Sequence, residues 1–337
     1  MTSPRLTILM PAYNAESYIA EAIQSLLKQT FQAFELWILN DGSQDGTLSI
    51  ARSFNDPRIR VFDSRQNIGR VAIVNQNIAS VQTEYVTITD ADDISAPERL
   101  QKQIKLLDDD KDLVMCGTSY HAINDKGMVL LTAKVSSDWA EIKKSIVERS
   151  MFHGPTTVMR TSSIAGMKEL YRSYFKDNHA DADLCSRLTD IGKAINISEA
   201  LYLYRIVPNS VSRRSYSPRF AIVDKLIGIF ARQRQEQNSD CLMRGDTEQL
   251  LTIEKKLLAE FQVDPSLIHF RAAFFHLYWG MFSLSAISVW RGFQLRPLYL
   301  KGILTLCYVA LMIPLKYVKM ILFGRHYRKL KTFAVRQ

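Results

Sequence analysis

The sequence predicts an α/β fold over its first half, a mainly parallel sheet with helices on both faces. Three observations carry this. Short apolar runs of strand length alternate with longer stretches whose apolar residues recur at helical spacing. Each apolar run ends on a turn rich in Asn, Asp, Gly or Pro. Strand–helix alternation with right-handed crossovers places those turns along one edge of the sheet, where open α/β sheets bind ligands.

Taken in order, Leu6–Met10 reads as a buried strand running into Pro11-Ala12-Tyr13-Asn14. A helix follows with Ile19, Ala22, Ile23, Leu26 and Leu27 on its apolar face. Phe34–Leu39 is a second strand, ending at Asn40-Asp41-Gly42-Ser43, and Asp45 or Thr47 opens a helix through Phe54. Arg60–Phe62 is a short third strand. Asn67-Ile68-Gly69 then leads into a helix carrying Val71, Val74 and Ile78. Tyr85–Thr89 is the fourth strand and Leu113–Cys116 the fifth. Pro97 is expected in the first turn of a helix carrying Leu100, Ile104 and Leu107. Residues 117–215 are less regular and contain a second polar cluster around Asp177–Asp183. Helices are expected at about 218–237, with Ser217 as cap and Pro218 first, and at about 247–262.

The formal net charge of +9 is unevenly spread. Residues 1–264 hold 32 basic and 34 acidic residues, whereas the remainder has eleven Lys or Arg and no Asp or Glu. A near-neutral body joined to a basic, apolar tail points to an anionic surface as partner. Ala272–Trp290 holds nineteen residues without a charge, so a membrane span is one reading. His269, His276, Gly280 and Ser283 share one helical face, which favours an interfacial or packed helix instead. Arg325–Lys331 is basic, but no recognition motif accompanies it, so nucleic acid is not expected as a partner. The four cysteines form no CxxC pair, which argues against zinc or a disulfide scaffold and fits a reducing compartment. The apolar run Leu6–Met10 is too short for a signal peptide.

The densest chemical signal is Asp90-Ala91-Asp92-Asp93, directly after a strand. Three carboxylates this close repel unless a cation or hydrogen-bonded ligand compensates. Asp-x-Asp is a hard-oxygen set suited to Mg²⁺ or Mn²⁺ held jointly with substrate phosphates. Read singly, Asn40-Asp41-Gly42 is as well explained as a tight turn. Asp90–Asp93 alone is equally a solvated turn with Asp93 or Ser95 capping the next helix. Their joint order favours a ligand site.

That order resembles the family 2 glycosyltransferases with a GT-A fold. The similarity is carried by PAYNAESYIAEAIQSLLKQTFQAFELWILNDGSQDGT, NIGRVAIVNQNIA and EYVTITDADD, covering about residues 4–110. A weaker match, HADADLCSRLTDIGKAINISEALYLYRIVPNSVS, extends it to about 212. The resemblance implies that Pro11, Ala12 and Tyr13 line a base pocket supported by Glu16, and that Asp41 accepts a hydrogen bond from the nucleobase. It implies that Arg70, or a neighbour after Asn67-Ile68-Gly69, approaches the nucleotide phosphates, that Asp90 with Ala91 meets ribose or donor sugar, and that Asp92 binds the divalent metal, Mg²⁺ or Mn²⁺. Asp181 falls where the family has its general base, with Asp183 structural or capping. His153 and His179 read as structural, although His153-Gly154-Pro155 is placed to line an acceptor cleft. Three positions depart from the family: Asn40 replaces an Asp, Ala180 a Glu, and Val207 a His. No Gln-x-x-Arg-Trp sequence, the mark of processive members, is present.

The expectation is an inverting, non-processive transferase moving a sugar from a nucleotide donor, a UDP-sugar favoured, to a lipid-linked or surface-polysaccharide acceptor. It would be cytoplasmic and attached peripherally to the inner face of the plasma membrane of a bacterium. Its expected domains are a catalytic domain over 1–215 (nucleotide half about 1–116, acceptor half about 117–215), a helical segment over 216–264, and a basic apolar helical membrane-association region over 265–337. The rival readings are a non-catalytic nucleotide-sugar-binding scaffold and a nucleotidyltransferase; against the latter, this chain has no Gly-rich basic loop after its first strand.

Overall fold

The computed structural model describes residues 3–176, 179–207, 216–297, 299–300, 302–316 and 318. Asp177 and the basic segment 325–337 lie outside the described residues. The chain divides into two compact units, Met1–His121 with Thr132–Arg205, and Ala122–Leu131 with Ile206–Gln337.

The first unit begins with the expected alternation: β1 (Leu6–Ala12), α1 (Ile19–Leu27), β2 (Phe34–Asp41), α2 (Thr47–Ser53), β3 (Ile59–Ser64), α3 (Arg70–Ile78) and β4 (Tyr85–Ile88). These strands lie in the order β3-β2-β1-β4, all parallel. Every residue of β2 is buried, and β1 is buried except at Pro11. Continuous burial is why both read as mostly apolar rather than alternating, and the buried Thr7 and Glu35 are bonded to each other (2.9 Å). At the sheet edge, β3 is half exposed, which explains its weak signal. On α1, Ile19, Ala22, Ile23 and Leu26 are buried against the sheet, joining a core with Leu6, Ile8, Leu36 and Ile38. Strand order reverses between β1 and β4, so the crevice for a ligand opens beyond their carboxyl ends.

The sheet continues with antiparallel members. After β5 (Ile94–Ser95) and α4 (Arg99–Asp109) come β6 (Leu113–Asn124), β7 (Val129–Ala133), α5 (Trp139–Ser145), β8 (Val158–Arg160), α6 (Thr161–Ile164), α7 (Ala180–Ile191) and β9 (Lys193–Ile206). β8 pairs antiparallel with both β4 and β6, and β5 with β9. Pro97 stands outside α4, because its carbonyl accepts the Thr30 N–H at 2.8 Å and anchors the entry to the helix. β6 runs twelve residues instead of ending near Cys116. Its continuation, Gly117-Thr118-Ser119, is polar yet buried. Partners make this tolerable: Thr118 N–H donates to Thr156 Oγ1 (3.2 Å), and Ser119 Oγ accepts from Val135 N–H (3.1 Å).

The second unit is largely helical: α8 (Pro218–Gln237), α9 (Cys241–Arg244), α10 (Thr247–Val263), α11 (Ser266–Tyr278), α12 (Phe282–Leu295) and helical residues over 302–316. Ser217 caps α8 by accepting the Phe220 N–H (3.1 Å), with Pro218 in the first position. The last helices have inverted polarity. Ser285, Ser288 and His276 are buried: Ser285 donates to the Ala273 carbonyl (2.8 Å), and His276 pairs with Ser288 (3.0 Å). Trp290, Leu304 and Leu311 are meanwhile 60–66% exposed. Among the described residues, no helix is long and apolar enough to cross a membrane.

Candidate functional site

Two loops at the ends of β1 and β2 are laced together. Register sets Pro11 beside Leu39 and Ala12 beside Asn40. Asn14 adopts a left-handed conformation (φ 48°) that lets its N–H reach Ser43 Oγ (3.1 Å), while its side-chain oxygen accepts the Gln44 N–H (2.8 Å). Ala15 N–H donates to Thr47 Oγ1 (2.7 Å) and Glu16 N–H to Asp45 Oδ2 (3.1 Å). In return Glu16 Oε2 accepts the Gly46 N–H (2.7 Å). Glu16 therefore braces the loop, and Tyr13 stands at its tip, half exposed.

Asp41 is buried at the end of β2. Its two oxygens accept the N–H groups of Ile68 (2.8 Å) and Gly69 (2.9 Å), the residues just before α3. The carboxylate thus satisfies donors that a helix start leaves open and sits at the positive end of its dipole. Gly42 is required beside it: at φ 68°, an added Cβ would lie 2.6 Å from the Asn67 nitrogen. Asn40 points elsewhere, donating to Asp63 Oδ1 (2.8 Å).

Holding the start of α3 aims Arg70, its first residue. Arg70 Nη2 donates to Asp90 Oδ1 at 2.8 Å, and its guanidinium lies 5.4 Å from the ring centroid of Tyr171. Burial alone would lower the Arg70 pKa; the negative charges of Asp90 and Asp181 help to raise it well above its ordinary value. Arg70 thus lies in the field of both candidate carboxylates, one from the turn after β4 and one from α7.

In the Asp90–Asp93 turn, Asp90, Asp92 and Asp93 each offer an oxygen within 4.8 Å of the others. Ala91 is buried between them. Asp93 is buried too; its Oδ1 accepts the Arg205 N–H at 2.7 Å. Burial, then the charges of Asp92 and Asp90, push its carboxyl well above the usual carboxylate range. Three clustered hard oxygens under mutual repulsion form a donor set that fits Mg²⁺ or Mn²⁺.

Asp181 is the second residue of α7 and lies against Gly154. Asp183 is fully buried and paired with Arg172 (Nε to Oδ2, 2.8 Å) and Arg187 (3.0 Å), which makes it structural. His153 stacks on Tyr120, centroids 4.2 Å apart, and meets Tyr204 edge-on at 4.5 Å. His179 precedes α7 in the left-handed conformation.

The family model for glycosyl transferase family 2 matches residues 7–175, half of the chain. The chain belongs to this family. Among similar glycosyltransferases, EpsE of Bacillus subtilis, whose name carries a provisional assignment to that activity, is 30% identical over 228 residues, spanning 64% of this chain and 78% of EpsE. The uncharacterised glycosyltransferase RP339 of Rickettsia prowazekii is 27% identical over 257 residues, 74% of this chain and 78% of its own. Two solved glycosyltransferase structures share the GT-A architecture. S. aureus TarS 1–349 in complex with UDP-GlcNAc has a TM-score of 0.53 at 20% identity, covering 96% of this chain and 92% of that one. The mannosyltransferase PcManGT of Pyrobaculum calidifontis, in complex with GDP-Man and Mn²⁺, has a TM-score of 0.53 at 16% identity, covering 99% and 86%.

The geometry of this glycosyltransferase gathers Arg70, Asp90, Ala91 and Asp92 at one point and brings Asp181 within electrostatic reach of it. Asp41 is tied to that point through the Ile68–Gly69 turn. Pro11, Ala12, Tyr13 and Glu16 lie in the neighbouring loop pair. Sequence reasoning gave no role to Tyr171, Glu21 or Arg205. Arg205 follows Tyr204 in the segment that resembles the family, whereas Glu21 is a lone charge on α1 and carries no local signal.

Proposed function

We propose that this glycosyltransferase transfers a sugar from a nucleotide donor, a UDP-sugar in the first instance, with inversion, to a lipid-linked or surface-polysaccharide acceptor. The observation that carries the reading is Arg70 bonded to Asp90 while lying in the field of Asp181. One cation there faces a phosphate-side cluster and a carboxylate free for proton transfer.

The nucleobase lies against Tyr13 in the pocket that begins at Pro11 and Ala12, with Glu16 keeping the loop in place. Each Asp41 oxygen keeps a lone pair after accepting its N–H, enough to receive the imide N–H of uracil. Asp90, with Ala91 beside it, meets ribose or donor sugar. Asp92, with Asp90 and Asp93 close by, would hold the divalent cation, which when bound neutralises diphosphate charge. Arg70 swings from Asp90 toward the phosphates and offsets negative charge as the bond from the anomeric carbon to phosphate oxygen breaks. Asp181 accepts the proton of the acceptor hydroxyl as that oxygen bonds to the anomeric carbon from the opposite face. The nucleoside diphosphate leaves with the bonding pair.

The inverted polarity of the helices after residue 264 supports a peripheral site on the inner face of the plasma membrane. An exposed apolar face on a stretch whose sequence holds Lys and Arg but no Asp or Glu suits the interface of an anionic bilayer.

The test is a thermal-shift screen of UDP-, GDP- and dTDP-sugars with Mn²⁺, Mg²⁺ or EDTA. A metal-dependent rise with one nucleotide class, lost in Asp92→Ala, is expected. Asp181→Asn should keep that shift and lose turnover by about 10²–10⁴-fold. Turnover near wild type in Asp181→Asn would remove it as the base. A folded protein that no donor shifts would overturn the donor site.

A further inference from the structure

We propose that Arg205 is a positioning residue: a strut that fixes the span between the nucleobase pocket and the Asp90–Asp93 turn, and so tunes the site to a nucleoside diphosphate. The inference rests on the donor site proposed above.

Arg205 lies near the end of β9 and is almost fully buried. Toward the acidic turn it makes two bonds. Its backbone N–H donates to Asp93 Oδ1 and its Nε to the Asp92 carbonyl, both at 2.7 Å. The second grips the main chain of the residue that would hold the cation. Toward the base pocket it makes two more contacts. Nη2 donates to Glu21 Oε2 at 2.7 Å, and the guanidinium lies 4.9 Å from the ring centroid of Tyr18. Tyr18 and Glu21 open α1, directly after the Tyr13–Glu16 loop, and Tyr18 N–H is bonded to the Ala15 carbonyl at 2.9 Å.

One rigid, planar cation therefore links the two halves of the site through different faces of its fork. The pairing of Ile94 with Leu203 and Ser95 with Tyr202 holds β9 in register with the segment just after the turn. Lys would keep the backbone bond to Asp93, but its single ammonium cannot serve the Asp92 carbonyl and Glu21 as the fork does. A ligand that touches only the base pocket is indifferent to this span. A ligand that must fill the base pocket and meet the acidic turn together is sensitive to it, because misplacement at either end is charged against its whole binding energy.

The experiment is calorimetric titration of the full chain, in Mn²⁺, with uridine and UDP and with guanosine and GDP. It compares wild type, Arg205→Lys and Glu21→Gln. Expected is a loss of about tenfold in diphosphate affinity for Arg205→Lys, with nucleoside affinity within about twofold of wild type. Glu21→Gln keeps an acceptor for Nη2 and should show a smaller loss of the same pattern. It also serves as the readout if Arg205→Lys fails to fold. Equal weakening of nucleoside and diphosphate, or no change in either, would overturn the strut. Wild-type protein that binds none of the four would instead overturn the donor site itself.

Discussion

Gly154 and Asp181 leave no room for a β-carbon between them. A Cβ on Gly154 would stand 2.3 Å from Asp181 Oδ2 and 2.4 Å from Asp181 Cβ. The glycine sets where the proposed base sits, from a residue that performs no chemistry. Gly154→Ala should push the carboxylate aside and lower kcat by about 10²-fold, as misplacement near 1 Å does elsewhere. Donor affinity should hold. Steady-state kinetics with titration of the nucleotide separates the two; a fall in donor affinity equal to that in kcat would point to general disruption.

Asp183, two residues on, predicts the opposite phenotype. Its single carboxylate is shared by Arg172 and Arg187; Asp183 and Arg172 are buried and Arg187 is partly so. Asp183→Ala removes the carboxylate that both guanidinium groups share and should destabilise the fold by about 3–5 kcal/mol. For a unit of this size that lowers the thermal midpoint by roughly 6–20 °C. Calorimetry on the purified variant checks it, and a midpoint within 2–4 °C of wild type, roughly 1 kcal/mol, would refute it.

His276 makes the stability of α11 and α12 depend on acidity. Burial lowers its pKa below the ordinary 6.5, outweighing an opposing bond to the Leu284 backbone. A His with a lowered folded pKa contributes stability above its unfolded value, and loses it as pH falls through the folded value. The midpoint of wild type should therefore drop relative to His276→Asn as pH goes from 7 to 5, the Asn keeping a partner for Ser288. Parallel melting curves across that range would exclude the effect.

The exposed apolar face carries its own prediction. Trp290, Leu304 and Leu311 are surface residues, so the triple change to Ser should leave the thermal midpoint nearly unaltered. Co-sedimentation with vesicles containing anionic phosphatidylglycerol should fall at least several-fold. Undiminished sedimentation would place the attachment elsewhere.

The parallel half of the fold was legible because β1, β2 and β4 are buried on both faces and the turns carry Asn, Asp and Gly. α1 and α8 were readable through the spacing of Ile19, Ile23 and Leu26 and the Ser217-Pro218 start. Strands β7, β8 and β9 were not: β7 is a short partner of the adjacent β6, β8 has three residues paired with the distant β4, and β9 is half exposed. β6 was half seen, because Thr118 and Ser119 are polar residues satisfied by partners remote in sequence. The candidate site divides the same way. Asp90 and Asp92 announce themselves by crowding, whereas Glu21 meets Arg205 across 184 positions, which no local pattern encodes.

Asp41 is committed at both oxygens to the turn that aims Arg70. Anyone redesigning this protein to take a different donor would be drawn to Asp41 as the residue that greets the base. Changing it would also unseat the turn that aims Arg70, the arginine proposed to meet the phosphates. On the proposed roles, choice of base and handling of the leaving group are inherited together, and a new preference has to be built from Tyr13 and its surroundings instead.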